Sequence, residues 1–280
     1  MSPPLFFLLL YLTAVLAGAF GALLGLGGGV LLVPALTLAF RLDIRYAIGA
    51  SIVSVVATSS GAAATYVKEH LADMRLGMFL EAATTTGAVI GAIVAGLIAG
   101  HVLFFVFAVV LVYSAGMMFR KHFLPEAPPA APNALAQRMR MYGHYYDPAT
   151  GQTVAYHVTG LPLGFGLAMI AGGVSGLLGI GGGALKVPAM DLAMRVPLKV
   201  ATATSNFMIG VTAATSAGVY FARGDINPFI AAPVAMGVLS GTLVGTRLMA
   251  RLRSERLRLL FAVVLVVVAV QMLLKGLGVL

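Results

Sequence analysis

The sequence predicts an all-α membrane protein built as two inverted repeats, each a broken, re-entrant helix hairpin followed by three transmembrane helices. Three observations predict it. Hydrophobic residues make up 60% of the 280 and charged residues 10%, with a mean hydropathy of +1.00, whereas soluble domains carry about 25% charged residues. Long apolar stretches then recur along the chain, separated by short polar breaks. Finally, Leu23-Leu24-Gly25-Leu26-Gly27-Gly28-Gly29 returns as Leu177-Leu178-Gly179-Ile180-Gly181-Gly182-Gly183, and Pro34 returns as Pro188, at a constant offset of 154 (Gly179 minus Gly25). Glycine weakens a helix, and a triplet should break it.

In chain order, the first apolar segment is Leu5–Phe40, followed by Ile44–Val67, Leu76–Ala99 and Val102–Phe119. The second half repeats them as Leu161–Met194, Leu198–Phe221, Pro228–Thr246 and Leu257–Leu274. Six of these suit single crossings, because about 20 residues rising 1.5 Å each span a core of about 30 Å. Leu5–Phe40 and Leu161–Met194 are too long for one crossing and contain the glycine breaks. Beyond each triplet only Val30–Phe40 or Ala184–Met194 remains, the length of a half-helix, so each long segment is expected to enter the membrane and return to the same side. Non-helical backbone at that depth must be buried in protein or line a cavity. A signal peptide is not expected at the N-terminus, since Met1-Ser2-Pro3-Pro4 has no basic residue and the equivalent segment lies mid-chain.

The basic residues orient the spans. If the hairpins return and the middle loop is cytoplasmic, 13 of the 18 Lys and Arg residues fall inside and 4 outside, with Lys186 in the membrane. Single crossings would split them 8 to 9. The positive-inside bias therefore favours returning hairpins, an odd number of crossings per repeat, and inversion of one repeat relative to the other. The expected layout is a first repeat over 1–119, a cytoplasmic linker over 120–160 and a second repeat over 161–280. Pro125, Pro128, Pro129 and Pro132 predict a stiff, extended start to the linker. Aromatic and β-branched residues flanking Asp147-Pro148-Ala149-Thr150-Gly151 predict a small β-hairpin within Tyr142–Val158, read chiefly as a connector that caps the membrane domain.

A duplicated unit with a broken membrane helix in each copy points to a transporter's central binding site. Where a helix restarts after Gly29 or Gly183, its first N–H groups have no intrahelical partner and carry the positive end of the dipole, which suits an anion. Gly25, Gly27, Gly28 and Gly29, with Gly179, Gly181, Gly182 and Gly183, are accordingly candidate substrate-binding residues. The plainer reading is close helix packing, which fits the spaced pairs Gly87/Gly91 and Gly237/Gly241. Ser51 and Thr204-Ser205-Asn206 follow the half-helices in both repeats. They are candidate substrate contacts, or alternatively fill the bonds of the broken backbone. Lys186 stands three residues past Gly183 and is expected either to lend positive potential to the site or to snorkel to the interface. Asp191 has Arg195 at i+4 as an ordinary partner, with proton coupling as the alternative. Glu81 is the second candidate for proton coupling.

These residues resemble the TauE/SafE sulfite-exporter family of membrane transporters. The resemblance rests on the doubled glycine phrase with Val33-Pro34 and Val187-Pro188, on Ala203-Thr204-Ser205-Asn206, and on Gly224-Asp225-Ile226. It covers nearly the whole chain except the linker, which looks unusually long and aromatic. It implies carriage of sulfur-containing anions such as sulfite or organosulfonates, coupled to protons, in a bacterial inner membrane. The alternatives are an anion channel, a carrier of a non-sulfur organic anion, a membrane enzyme, or a scaffold working through the linker. An enzyme should show a clustered His, Asp or Glu set, and none is visible. The absence of cysteine excludes thiolate metal sites, and the five histidines show no metal spacing. Neither cofactor nor metal is expected. The expected partners are a small anion and the lipid bilayer, not nucleic acid; association into a homo-oligomer stays open.

Overall fold

The structure, a computed structural model, describes residues 3–122 and 134–278. The first repeat comprises α1 (Pro3–Leu24), α2 (Gly29–Leu38), α3 (Ile44–Lys68), α4 (Met74–Ala95) and α5 (Gly100–His122). The second comprises α7 (Leu161–Leu178), α8 (Gly183–Pro188), α9 (Leu198–Ala222), α10 (Pro228–Arg251) and α11 (Ser254–Gly276). Between them lie a short helix α6 (Ala134–Arg138) and a hairpin of β1 (Tyr142–Asp147) and β2 (Gln152–His157). The strands are antiparallel and in register from Tyr142 opposite His157 to Asp147 opposite Gln152, as the turn residues predict. The proline run that predicts a stiff linker lies outside the described residues.

Among the described residues, seven helices are long and apolar enough to cross a membrane: α1, α3, α4, α5, α7, α10 and α11. The chain is an all-α membrane protein. The re-entrant expectation needs one adjustment, because α1 and α7 are themselves span-length and only the arms after the glycines are short. The second short arm is also irregular. After Pro188 it widens into a π-helical turn over Ala189–Ala193, which re-aims the residues that follow.

The helices pair across the repeats. α1 packs on α10 and α4 on α7, while α3 meets α9 and α5 meets α11. Shifting every number by 154 exchanges or preserves each pair, so the duplication in sequence is a duplication in packing. Small residues make the tight crossings. A Cβ on Gly91 would strike the Gly173 carbonyl, and one on its equivalent Gly245 would strike the Ala19 carbonyl. Backbones this close are the reason such positions are glycine. Asp73 and Asn227, also equivalent, cap α4 and α10 by accepting from the N–H of Leu76 and Phe229. α3 lies at the centre, its most apolar stretch 61% buried against 39–44% for the other six span-length helices. Leucine and valine on α1, α5, α10 and α11 point outward, as a lipid-facing surface requires.

Candidate functional site

Each glycine break is built from the same turn. Gly25, Gly27 and Gly28 have φ of 72°, 73° and 76°, and Gly179, Gly181 and Gly182 have 67°, 77° and 75°. This left-handed region strains any residue with a Cβ by about 1–2 kcal/mol, so the turn dictates the glycines. Both breaks are fully buried and abut one another. Gly29 lies against the Gly179 carbonyl and Ile180, and Gly183 against the Gly25 carbonyl. Gly27 and Gly181 both touch Val55 and Ile209, themselves 154 apart, which pack between the two turns.

The helices restarting here begin with unsatisfied donors. The backbone N–H groups of Gly28, Gly29 and Val30, and those of Gly182, Gly183 and Ala184, meet no acceptor among the described residues. Buried N–H groups are rarely left so, because each forfeits a hydrogen bond it had in water. Two buried acceptors nearby are also unpartnered, Ser175 Oγ beside Gly182 and Asn206 Oδ1. The carbonyls of the breaks, in contrast, are served by the opposite repeat. Ser51 Oγ donates to the Gly179 carbonyl at 2.8 Å, and its equivalent Ser205 Oγ donates to the Gly25 carbonyl at 3.0 Å. Within each repeat a tyrosine adds a bond of its own: Tyr66 donates to the Ala22 carbonyl and Tyr220 to that of Gly176. Asn206 Nδ2 donates to the carbonyls of Ala22 and Thr202. Thr204 stands apart from the breaks, its hydroxyl accepting from the Asp73 N–H at 2.9 Å. Ser51, Ser205 and Asn206 thus hold the broken backbone, and what stays unspent at the breaks is six backbone donors beside the two side-chain oxygens.

Lys186 does not snorkel. It is 2% exposed, its stem lies over Gly182, and its ammonium donates to Thr212 Oγ1 at 2.7 Å. Thr212 passes its single proton to Glu81 Oε1, also at 2.7 Å, and Thr85 donates to that oxygen at 3.0 Å. Glu81 Oε2 is buried and meets no partner among the described residues. The two charges read separately from the sequence are therefore one linked pair. The bridging Thr212 escaped the sequence reading, although its match with Thr58 at the repeat offset was a signal.

Asp191 corrects an expectation. Its partner is Arg258 of α11, at 3.3 and 3.4 Å, with both groups buried. Arg195 instead is exposed with a φ of 55°. The π-helical turn removes the i+4 geometry on which that expectation stood. Lys199 was also missed. Not singled out from the sequence, it is fully buried and paired with Asp147 of the hairpin at 2.6 Å. Among the described residues, no group of three or more His, Cys, Asp or Glu side chains lies close enough to hold a metal.

A buried pair of helix breaks between interlocked repeats, in a bundle of span-length apolar helices, defines the class as a multi-pass membrane transporter. The comparisons place it further. The family model for sulfite exporter TauE/SafE matches residues 10–272, and the chain belongs to that family. It is 28% identical to a "Probable membrane transporter protein YunE" of Bacillus subtilis (strain 168), over 96% of this chain and 98% of that one. It is 30% identical to a "Probable membrane transporter protein" of Xylella fastidiosa (strain Temecula1 / ATCC 700964), over 39% of this chain and 43% of that one. No solved structure matches it. The chain is a membrane transporter, not an enzyme.

Proposed function

We propose that this transporter carries a small sulfur-containing anion, sulfite or an organosulfonate, bound between the two glycine breaks. The observation that carries the reading is the set of buried, acceptor-less N–H groups at the start of α2 and α8. Two converging positive helix ends suit an oxyanion, which offers several acceptor oxygens at once. The family's name supplies the sulfur chemistry. Val55 and Ile209 fill the space between the breaks, so the anion enters when the repeats move apart, the motion expected of alternating access. Lys186 adds charge beside Gly182, and Glu81 holds that charge in check through Thr212. We assign proton coupling to Glu81, whose free Oε2 has room for a proton; Asp191 is already engaged with Arg258. Protonation of Glu81 releases Lys186 to the anion, so anion and proton travel together. The reading sets the protein in a bacterial inner membrane with the hairpin on the cytoplasmic side, the face to which the basic residues are biased.

Purified protein in liposomes tests this with sulfite, sulfate, thiosulfate, sulfonates and carboxylates, each with and without a pH gradient. Saturable sulfite or sulfonate uptake that follows the gradient is expected, and Lys186→Ala should weaken anion affinity. Non-saturating current would make it a channel instead, and preference for carboxylates would remove the sulfur assignment.

A further inference from the structure

Lys199 is a buried cation that the transport reading above does not use. It stands in the first turn of α9, five residues before Thr204, with no exposed surface, and Asp147 at the tip of the hairpin reaches it at 2.6 Å. Asp147 is 4% exposed. Burying both charges is expensive, and a structural pair of this kind is often matched or bettered by apolar residues. Burial of Met141, Tyr145, Tyr156 and Val158 also holds the hairpin, and polar ties accompany it. Tyr156 donates to Asp73 Oδ2 at 3.1 Å, Arg75 to the Arg140 carbonyl at 3.2 Å, and the Thr159 N–H to the Met194 carbonyl at 3.0 Å.

The repeat supplies the comparison. The offset of 154 carries Lys199 onto Arg45 in the first turn of α3. Arg45 lines a cavity of about 260 Å³ with Ile48, Tyr220, Arg223 and Asp225, at the opposite ends of α4 and α9 from the hairpin. Ile48, one of the lining residues, also packs against Gly179 of the break. Arg223 is held by Asp225 and the Ala92 carbonyl, while the Arg45 guanidinium meets no partner among the described residues. One end of the pathway thus shows an open, positively charged vestibule above a glycine break. At the matching place on the other end, the basic residue is covered and its charge answered by a carboxylate from the linker.

We propose that Lys199 is an anion subsite at the hairpin end of the pathway and that Asp147 occupies it as a tethered carboxylate, so that an oxyanion passing through displaces the hairpin. The ligand class is a small oxyanion, the same that the central breaks accept. The proposal rests on the transport reading, yet binding alone can test it.

Tyr156, buried under the docked hairpin, serves as reporter in the full chain, which has no cysteine of its own. In a Tyr156→Cys background, labelling by a water-soluble maleimide is followed with methanesulfonate or sulfate, and with chloride at matched ionic strength. The oxyanions should raise the labelling rate several-fold over chloride. Asp147→Asn, which keeps the turn bond from the Ala149 N–H, should raise it without any anion. Lys199→Gln should abolish the oxyanion effect, and Lys199→Arg should restore it. Labelling that ignores the oxyanions, or responds equally with Lys199→Gln, overturns the subsite whether or not the protein transports. In liposomes of one orientation, Asp147→Asn should lower the sulfite KM from the hairpin side by about tenfold, as expected when one competing charge is removed. An equal change from both sides also overturns it. If the labelling behaves as expected while no anion is transported, the transport reading fails and the subsite stands.

Discussion

The Asp191–Arg258 pair illustrates how a single residue decides between apparently equivalent partners. A carboxylate and a guanidinium at i and i+4 on a regular helix would meet at the surface, for a few tenths of a kcal/mol. Here the π-helical turn carries Asp191 to α11 instead, where it neutralises an arginine that is 6% exposed. Asp191→Asn leaves that arginine uncompensated, and the expected loss is about 3–5 kcal/mol of stability. Asp191→Leu combined with Arg258→Met should recover most of it. Thermal unfolding in detergent, compared across the two variants, checks the claim; equal losses would make the pair's charge irrelevant. Glu81 behaves differently, because its second oxygen is free. Glu81→Gln should therefore leave the fold intact and uncouple anion movement from pH, read as uptake that no longer responds to an imposed gradient.

Helices here are glycine-rich for two unrelated reasons, and substitution separates them. Gly91 in α4 has the Gly173 carbonyl of α7 where its Cβ would go. Gly91→Val must push two backbones apart, and overpacking of this kind costs about 1–3 kcal/mol. Gly116 in α5 has nothing within 4 Å of a Cβ. Gly116→Ala should be neutral or stabilising by up to about 1 kcal/mol, the difference in helix propensity. Melting temperatures that move the same way for both would refute the packing account. The hairpin carries its own signal. Burial first, and the Asp73 carboxylate second, push the Tyr156 phenol well above its usual value. A phenol that ionises near pH 10 when free but stays neutral when docked supports docking below about pH 10 and loses that support as pH rises further. Hydrogen exchange of the hairpin amides should accelerate above about pH 10 beyond the intrinsic rise, and Tyr156→Phe should remove the excess.

At the scale of the whole molecule, the two repeats complete each other. Ser51 and Ser205 each satisfy a carbonyl that the other repeat's break leaves exposed. Neither half can close its own break, so separated halves should not fold alone, and co-expression of 1–133 with 134–280 should be required for either to accumulate. Much of this was legible beforehand. The offset of 154 located both breaks and the short arms α2 and α8, spaced glycine pairs marked the small-residue crossings, and a Pro/Gly turn marked the β-hairpin, because each follows from local composition and spacing. The reciprocal serine bonds and the Lys199–Asp147 pair were not legible in the same way, since their partners are 128, 180 and 52 residues apart.

Sequence alone determined that this chain lives in a membrane, that it is duplicated, and where its helices must break, since hydropathy and glycine act over a few residues and need no partner. Only the tertiary structure decided which charges neutralise one another and which donors stay unspent. Those outcomes depend on distances of about 3 Å between distant helices, the range over which a hydrogen bond is made or lost.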